Sequence, residues 1–181
     1  MTERVFVSRS ENDTRELGRR LGERLESGLC VLLYGDLGAG KTVLVRGVGE
    51  ALGISGIRSP SFTLINEYDS DSGLVIHADL YRLDDASSLG LEDYGPLPDS
   101  RSLPLPASPS QGRSQSPMTR GDTGGSQGRS DPVLFVEWPD RWRNPPVNNV
   151  LKVYISALSE SEREIKITAD GEKAERVLMT L

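Results

Sequence analysis

The stretch VLLYGDLGAGKTVLVRGVGEAL, residues 31–52, carries residue types at spacings suited to holding a polyphosphate. Its centre fits the pattern G-x-x-x-x-G-K-[ST], with Gly35 and Gly40 as the fixed glycines and Lys41 and Thr42 at its end. Glycines let consecutive backbone N–H groups point inward at phosphate oxygens, and the following helix adds its partial positive charge. The lysine can reach the terminal phosphates and the hydroxyl can ligate magnesium. The stretch therefore predicts a nucleoside triphosphate site.

Two carboxylates follow apolar runs that predict buried strands. Asp79 follows LVIHA and Glu137 follows VLFV, and the second is the better match to an apolar run ending in an acid. Because open α/β sheets place their ligand crevice at the carboxyl ends of the strands, we expect both acids beside the phosphate loop. Either could bind magnesium, directly or through water, while the other orients an attacking water molecule. The predicted catalytic residues are therefore Lys41, Asp79 and Glu137.

Three other side chains lie close to these acids in the sequence. His77, the only histidine, is two residues before Asp79 and could orient that carboxylate, although a strand histidine with no part in a site is the commoner outcome. Trp138 and Trp142 could stack on a base or dock a partner, but core packing is favoured for Trp138. We assign His77 at most an indirect role.

Apolar periodicity predicts the elements that position these residues. Ser10 is placed as the N-cap of a helix in which Leu17, Leu21 and Leu25 form one apolar stripe and which ends near Gly28. The predicted strands cover residues 4–8, 30–34, 73–83, 133–138, 150–158 and 162–169, and an extended segment within residues 59–68 is predicted to become a strand. Helices are predicted at about 41–52, at 84–95 and after the turn at 170–171. The alternating pattern of the last two strands predicts an antiparallel pair. This order is typical of an α/β fold.

Length, charge and composition limit the possible functions. A chain of 181 residues suits one domain, and no apolar run is long enough to span a membrane. The N-terminal residues lack the apolar core of a signal peptide, which predicts a cytoplasmic location and no membrane partner. The formal net charge of −6 disfavours direct binding of nucleic acid. The single cysteine, Cys30, is expected to be a buried structural thiol.

Residues 98–132 differ in character from the rest of the chain. They contain eight serines, six prolines, five glycines and no aromatic residue. Such a segment cannot bury enough apolar surface to offset the entropy of ordering it, so we predict a disordered surface insert within a single domain, residues 1–181. An arginine lid over the phosphates is a disfavoured alternative.

Several motifs together resemble the TsaE (YjeE) family of small bacterial P-loop ATPases required for threonylcarbamoyladenosine synthesis in tRNA. They are GDLGAGKT, SPSFTL, HADLYRL, LGLEDY and VEWPDR, in the family's order. The resemblance runs from Ser8 to the final helix apart from the insert. Two departures are Ser61, where the family commonly has threonine, and the insert itself.

The resemblance implies a fold, a ligand and partners. The fold would be a single P-loop NTPase-like α/β domain with a mixed, mostly parallel sheet, helices on both faces and C-terminal antiparallel strands. Magnesium would be held by Thr42 and Glu137, Asp79 would support hydrolysis, and residues 59–63 would form a mobile segment. ATP would contact Thr14, near the adenine, and Gly35, Asp36, Leu37, Gly38, Ala39, Gly40, Lys41, Thr42 and Val43. The partners would be TsaB-like and TsaD-like proteins, with tRNA engaged only through their complex.

Three other functions compete with an ATPase. A small-molecule kinase would need a substrate subdomain and arginines to clamp a second anion, and neither is evident outside the insert. A GTPase is disfavoured because no N-K-x-D motif is present. A nucleotide-dependent binding module with negligible hydrolysis stays open, because Asp79 and Glu137 indicate capacity and not rate.

Overall fold

The apolar runs of the sequence form the strands and helices of the computed structural model, which describes residues 2–86, 89–91, 131–145 and 148–181. The described elements, in chain order, are β1 (Thr2–Ser8), α1 (Glu11–Gly22), β2 (Cys30–Tyr34), α2 (Lys41–Ala51), β3 (Ile65–Ser70), β4 (Gly73–Asp79), β5 (Val133–Glu137), a 3-10 helix (Pro139–Arg141), β6 (Val150–Ala157), β7 (Arg163–Asp170) and α3 (Glu172–Thr180). The predicted α/β class is confirmed. None of the helices in these ranges is long and apolar enough to cross a membrane.

All seven strands belong to one mixed sheet in the order β1-β7-β6-β2-β5-β4-β3. The middle of the sheet is parallel, because β2 pairs in parallel with β5 and β6, and β5 pairs in parallel with β4. Antiparallel pairs of β3 with β4, β6 with β7 and β7 with β1 complete it. The carboxyl ends of β2, β4 and β5 therefore share one edge, where Asp79 and Glu137 are directly paired in register.

The two faces of the sheet are covered differently. One core cluster joins the apolar residues of α1, α2 and α3 to one face, through side chains such as Leu21, Leu44 and Leu178. The other cluster covers the second face with side chains that include Leu80, Leu91 and Trp142. The three α-helices therefore pack on one face, and within the described residues no α-helix covers the second face, where the expectation of helices on both faces stays a prediction.

Some predicted boundaries are wrong, and local hydrogen bonds explain why. Helix α1 begins after the Ser10 N-cap as predicted but ends at Gly22, because Leu25 N–H bonds the Gly22 carbonyl in a tight turn instead of continuing the helix. Strand β4 ends at Asp79 because the Tyr81 N–H turns back to the Asp79 carboxylate. The predicted helix at 84–95 lies largely outside the described residues, and so does the insert except for Asp131 and Pro132.

Helices α1 and α2 contact each other through glycines that the sequence pattern did not reveal. A Cβ added at Gly18 would lie 2.1 Å from the Leu44 carbonyl oxygen, and one added at Gly47 would lie 1.9 Å from the Arg15 carbonyl oxygen. Both of these oxygens are backbone atoms, which cannot relieve the clash by changing rotamer as a side chain can. Close approach of the two backbones therefore depends on the absence of a side chain at these positions.

Replacing Gly47 with alanine is expected to lower the free energy of unfolding by about 2 kcal/mol or more, because the added methyl group forces the helices apart. Urea denaturation measures this change. Gly49→Ala in the same helix is the matched control, because its Cβ meets the end of the flexible Ile57 side chain, at 2.2 Å from Cδ1, and should cost less. Equal stability of Gly47→Ala and wild type would show that the helix contact is loose.

The single cysteine, Cys30, is fully buried in β2, and burial raises the pKa of its thiol well above the usual range. Because the thiolate is the reactive form, we expect no reaction with the thiol reagent DTNB in the folded protein and release of one equivalent on unfolding. Absorbance at native and denaturing urea concentrations makes this comparison. Rapid native labelling would contradict the buried structural role.

Candidate functional site

The loop of residues 35–40, called the phosphate loop here because its motif predicts phosphate binding, connects the end of β2 to the start of α2. Two of its glycines serve different purposes. Gly35 has φ +143°, and a Cβ there would lie 2.5 Å from the Ile155 carbonyl oxygen in β6. Gly38 has φ +79° and nothing within 4 Å of an added Cβ, so it forms the open crest of the loop. The first glycine permits packing against the sheet, and the second permits the left-handed turn that exposes the backbone.

The N-terminus of α2 has free hydrogen-bonding capacity. Its N-cap is Gly40, with φ 112°, which supplies no side-chain cap, and no acidic residue lies in the first turn. The first N–H groups of a helix lack intrahelical partners and carry a partial positive charge. This helix end is therefore built to receive an anion, in agreement with the motif that precedes it.

The Lys41 side chain lies across the loop and is only 4% exposed. Its ammonium donates to the Gly35 and Asp36 carbonyl oxygens at 2.8 and 2.9 Å, and lies 4.2 Å from the centre of the Trp138 ring. Burial lowers the pKa of Lys41, and the nearby carboxylates of Glu137, Asp79 and Asp36 oppose that shift. A phosphate group would give this cation stronger partners than neutral carbonyls.

Thr42 and Glu137 are joined directly, although they are far apart in sequence. The Thr42 hydroxyl donates to Glu137 Oε1 at 2.8 Å. His77 Nε2 lies 3.0 Å from the same oxygen. His77 therefore contacts Glu137 and not Asp79, the carboxylate that the sequence suggested it could orient. The diagonal contact arises because both side chains lie on the same face of neighbouring parallel strands.

Asp79 is held by a different set of donors. The Ser59 hydroxyl donates to Asp79 Oδ2 at 2.9 Å, and the Tyr81 N–H donates to Oδ1 at 3.1 Å. Ser59 Oγ also lies 3.0 Å from Ser61 Oγ. Ser59, in the segment that the family resemblance implies to be mobile, therefore helps to orient this carboxylate in the structure.

Two adjoining cavities follow the phosphate loop on either side. One of about 210 Å³ contains the predicted catalytic and metal residues, Lys41, Thr42, Asp79 and Glu137, and is also lined by Leu37, Ser59, Tyr81 and Trp138. The second, of about 280 Å³, is lined by Thr14 and Ala39 together with Ser10, Glu11, Glu160, Ser161 and Arg163. Gly38, Gly40 and Val43 line both. An elongated ligand could thus extend from one cavity into the other.

The structure brings together the residues that the sequence selected, with small differences in how they take part. Gly35 and Asp36 contribute carbonyl oxygens to Lys41 and do not line either cavity. Thr14 is buried, with its hydroxyl 2.7 Å from the Ser8 hydroxyl. Sequence reasoning missed Arg163, whose Nε donates to the Ala39 carbonyl oxygen at 3.2 Å, because this first residue of β7 belongs to no motif.

Both tryptophans pack with the core on the second face of the sheet, but only one of them also lines a cavity beside the loop. Trp142 is 3% exposed and packs in the core on the second face of the sheet. Trp138 is half-buried, lines the smaller cavity beside Lys41 and lies 4.9 Å from the Tyr81 ring, centre to centre. Core packing was predicted for Trp138, and its ring does pack against the core cluster on the second face, but it also lines the cavity. Its left-handed backbone, with φ 59°, turns the chain at the end of β5.

Magnesium fits the donor set at this site. Among the described residues no three histidine, cysteine or acidic side chains are grouped as a metal cage. Magnesium, however, commonly takes one or two carboxylates and completes its octahedral shell with water and substrate phosphates. Thr42 Oγ1 and Glu137, in contact with one another at the helix N-terminus, are oxygen donors of the required kind.

Comparison with known proteins connects this arrangement to a family. The family model described as "Threonylcarbamoyl adenosine biosynthesis protein TsaE" matches residues 8–102. The chain is 44% identical over 164 residues to a protein of Aquifex aeolicus named tRNA threonylcarbamoyladenosine biosynthesis protein TsaE, covering 89% of this chain and 92% of the relative. This chain belongs to the TsaE family.

Other TsaE proteins support the assignment. A Streptomyces coelicolor relative of the same name is 46% identical over 166 residues, covering 88% of this chain and 92% of the relative. The match to a TsaE of Nostoc is 50% identical but covers 50% of this chain and 57% of that protein. The crystal structure of Bacillus subtilus YdiB is similar in fold, with a TM-score of 0.67 and 25% identity over 98% of this chain and 93% of that one. The TsaE family takes part in tRNA threonylcarbamoyladenosine biosynthesis.

Proposed function

We propose that this chain binds and hydrolyses Mg-ATP and that its ATPase supports tRNA threonylcarbamoyladenosine biosynthesis in association with TsaB-like and TsaD-like proteins. The observation that carries the proposal is the convergence of Lys41, Thr42, Asp79 and Glu137 on one cavity at the uncapped N-terminus of α2. Membership of the TsaE family supports the biosynthetic role.

The loop and its lysine would bind the triphosphate. Backbone N–H groups from Gly38 to Thr42 would donate to the phosphate oxygens, and Lys41 would exchange its two carbonyl acceptors for the β- and γ-phosphates. The base would extend toward the larger cavity, where Thr14 lies. Adenine is favoured over guanine because the sequence has no N-K-x-D motif.

Hydrolysis requires a positioned water molecule and neutralised phosphate charge. Water would attack the γ-phosphorus as the bond to the bridging oxygen breaks, which gives ADP, inorganic phosphate and a proton. Asp79, held by Ser59 and the Tyr81 N–H, would orient that water. Bound magnesium, next to Thr42 and Glu137, would offset the charge on the phosphate oxygens. Solvent or the released phosphate would take the proton.

The test is phosphate release from ATP by the purified chain, alone and with TsaB-like and TsaD-like proteins from the same organism. We expect hydrolysis that requires magnesium, and we expect the rate of phosphate release to change when the partners are present. Transfer of the phosphoryl group to a small molecule would identify a kinase instead. Binding of ATP without phosphate release, even with the partners, would identify a binding module.

The contribution of tRNA is proposed to be indirect. The chain has 27 acidic and 21 basic side chains, which disfavours an independent RNA-binding surface. We expect the TsaB–TsaD complex to hold the tRNA. A gel-shift experiment with tRNA and the isolated chain should detect no complex at physiological salt.

A further inference from the structure

His77 is a buried polar residue that the proposed function leaves without a role. Its side chain is fully buried, on the face of β4 that also carries Asp79. Its directly paired neighbours are Asn66 on β3 and Phe135 on β5. The contact described above, 3.0 Å from Nε2 to Glu137 Oε1, is the only hydrogen bond that its ring makes among the described residues.

The two hydrogen bonds to Glu137 converge on one of its oxygens. Oε1 is 2.8 Å from the Thr42 hydroxyl and 3.0 Å from His77 Nε2. The carboxylate itself is 5% exposed, and Glu137 lines the cavity assigned to the phosphates. With Oε1 bonded on two sides, the carboxylate has a fixed rotation, and Oε2 is the oxygen available to a ligand in the cavity.

The surroundings of the other ring nitrogen of His77, Nδ1, indicate which of the two nitrogens carries the hydrogen. Nδ1 is buried and has no hydrogen-bond partner in the structure. A hydrogen on Nδ1 would leave a buried N–H unpaired and set the Nε2 lone pair against the Glu137 oxygen. A hydrogen on Nε2 avoids both costs. His77 is therefore a donor to Glu137 through Nε2.

We propose that His77 is a positioning residue that holds Glu137 Oε1 and thereby presents Oε2 to the magnesium ion of bound Mg-nucleotide. The proposal rests on the proposed function, since it assigns Glu137 to the metal. Outer partners of metal ligands commonly contribute about 10- to 100-fold to metal affinity. Here a histidine orients a carboxylate, the reverse of the more frequent arrangement in which a carboxylate orients a metal-bound histidine.

The tautomer can be measured directly because His77 is the only histidine in the sequence. A long-range ¹H–¹⁵N correlation spectrum of the full chain, prepared without a histidine tag, distinguishes the two ring nitrogens by chemical shift. We expect a hydrogen on Nε2, the nitrogen that faces Glu137. A hydrogen on Nδ1 alone would overturn the proposal.

Two substitutions separate the hydrogen bond from packing. Gln retains an N–H donor, whereas Leu is similar in bulk to histidine and has no donor. H77Q and H77L are therefore compared by titrating Mg²⁺ into each protein in the presence of fluorescent mant-ADP. For H77L we expect about a tenfold higher Mg²⁺ concentration at half-maximal response, with magnesium-free nucleotide affinity unchanged within about twofold. For H77Q we expect recovery to within about threefold of wild type. If H77L does not fold, H77M replaces it.

The outcomes distinguish this inference from the proposed function. If wild type responds to magnesium and H77L responds at the same concentration, the positioning role is wrong while the nucleotide site stands. If H77L and H77Q are impaired equally, the ring acts by packing and not by its hydrogen bond. If wild type binds no nucleotide with or without magnesium, the proposed function fails and this inference fails with it.

Discussion

Lys41→Ala is expected to weaken ATP binding by about a hundredfold or more. The ammonium is held inside the loop by two carbonyl oxygens, and hydrogen bonds to a charged group each contribute on the order of 1.5–3 kcal/mol. Two such bonds to the β- and γ-phosphates would be lost. Isothermal titration calorimetry with a non-hydrolysable ATP analogue measures the change.

Lys166→Ala is the matched control for the loss of one positive charge. Lys166 lies on β7, where its Nζ is 3.8 Å from Glu3 Oε2, and lines neither cavity beside the loop. Its substitution should leave nucleotide affinity within about twofold of wild type, because surface ion pairs contribute little. Equal affinity in Lys41→Ala and wild type would remove the lysine from the binding site.

The second large effect is expected at the paired acids. Asp79→Asn and Glu137→Gln should each reduce phosphate release by about 10²- to 10⁴-fold, the range typical of a positioned group that acts on the reacting atoms. The two should differ in binding. Glu137→Gln is expected to lose the part of nucleotide affinity that depends on magnesium, whereas Asp79→Asn should retain it.

Asp69→Asn on β3 is the matched control for these variants, because its exposed carboxylate lies on the strand beside β4 and outside the cavities along the loop. It should hydrolyse ATP at the wild-type rate. Circular dichroism and thermal melting establish that all three variants are folded. Wild-type turnover in Asp79→Asn or Glu137→Gln would exclude that residue from the chemistry.

The sequence predicted those parts of the molecule that depend on local patterns. The buried runs that became β2 and β5, the loop between Gly35 and Thr42, and the Ser10 helix cap each have a signature within a few residues. The general rule for open sheets then placed Asp79 and Glu137 at one edge. The structure agrees with that placement because the strands that carry the acids are adjacent and parallel.

The parts that could not be predicted depend on contacts between distant segments. His77 and Asp79 share a face of β4, so the sequence offered Asp79 as the partner of the histidine. The partner is Glu137 because the register of β4 against β5 brings its carboxylate within 3.0 Å. No residue near His77 in the sequence encodes that register. The position of Trp138 likewise depends on the backbone turn after β5.

The glycine contact between α1 and α2 has a mechanical consequence. With backbone against backbone at Gly18 and Gly47, neither helix can slide or rotate on the other without collision. We therefore expect Thr14 on α1 and the phosphate loop at the start of α2 to move together. If the chain hydrolyses ATP as proposed, we expect any opening or closing of the site to come from the other wall, where Ser59 contacts both Asp79 and Ser61.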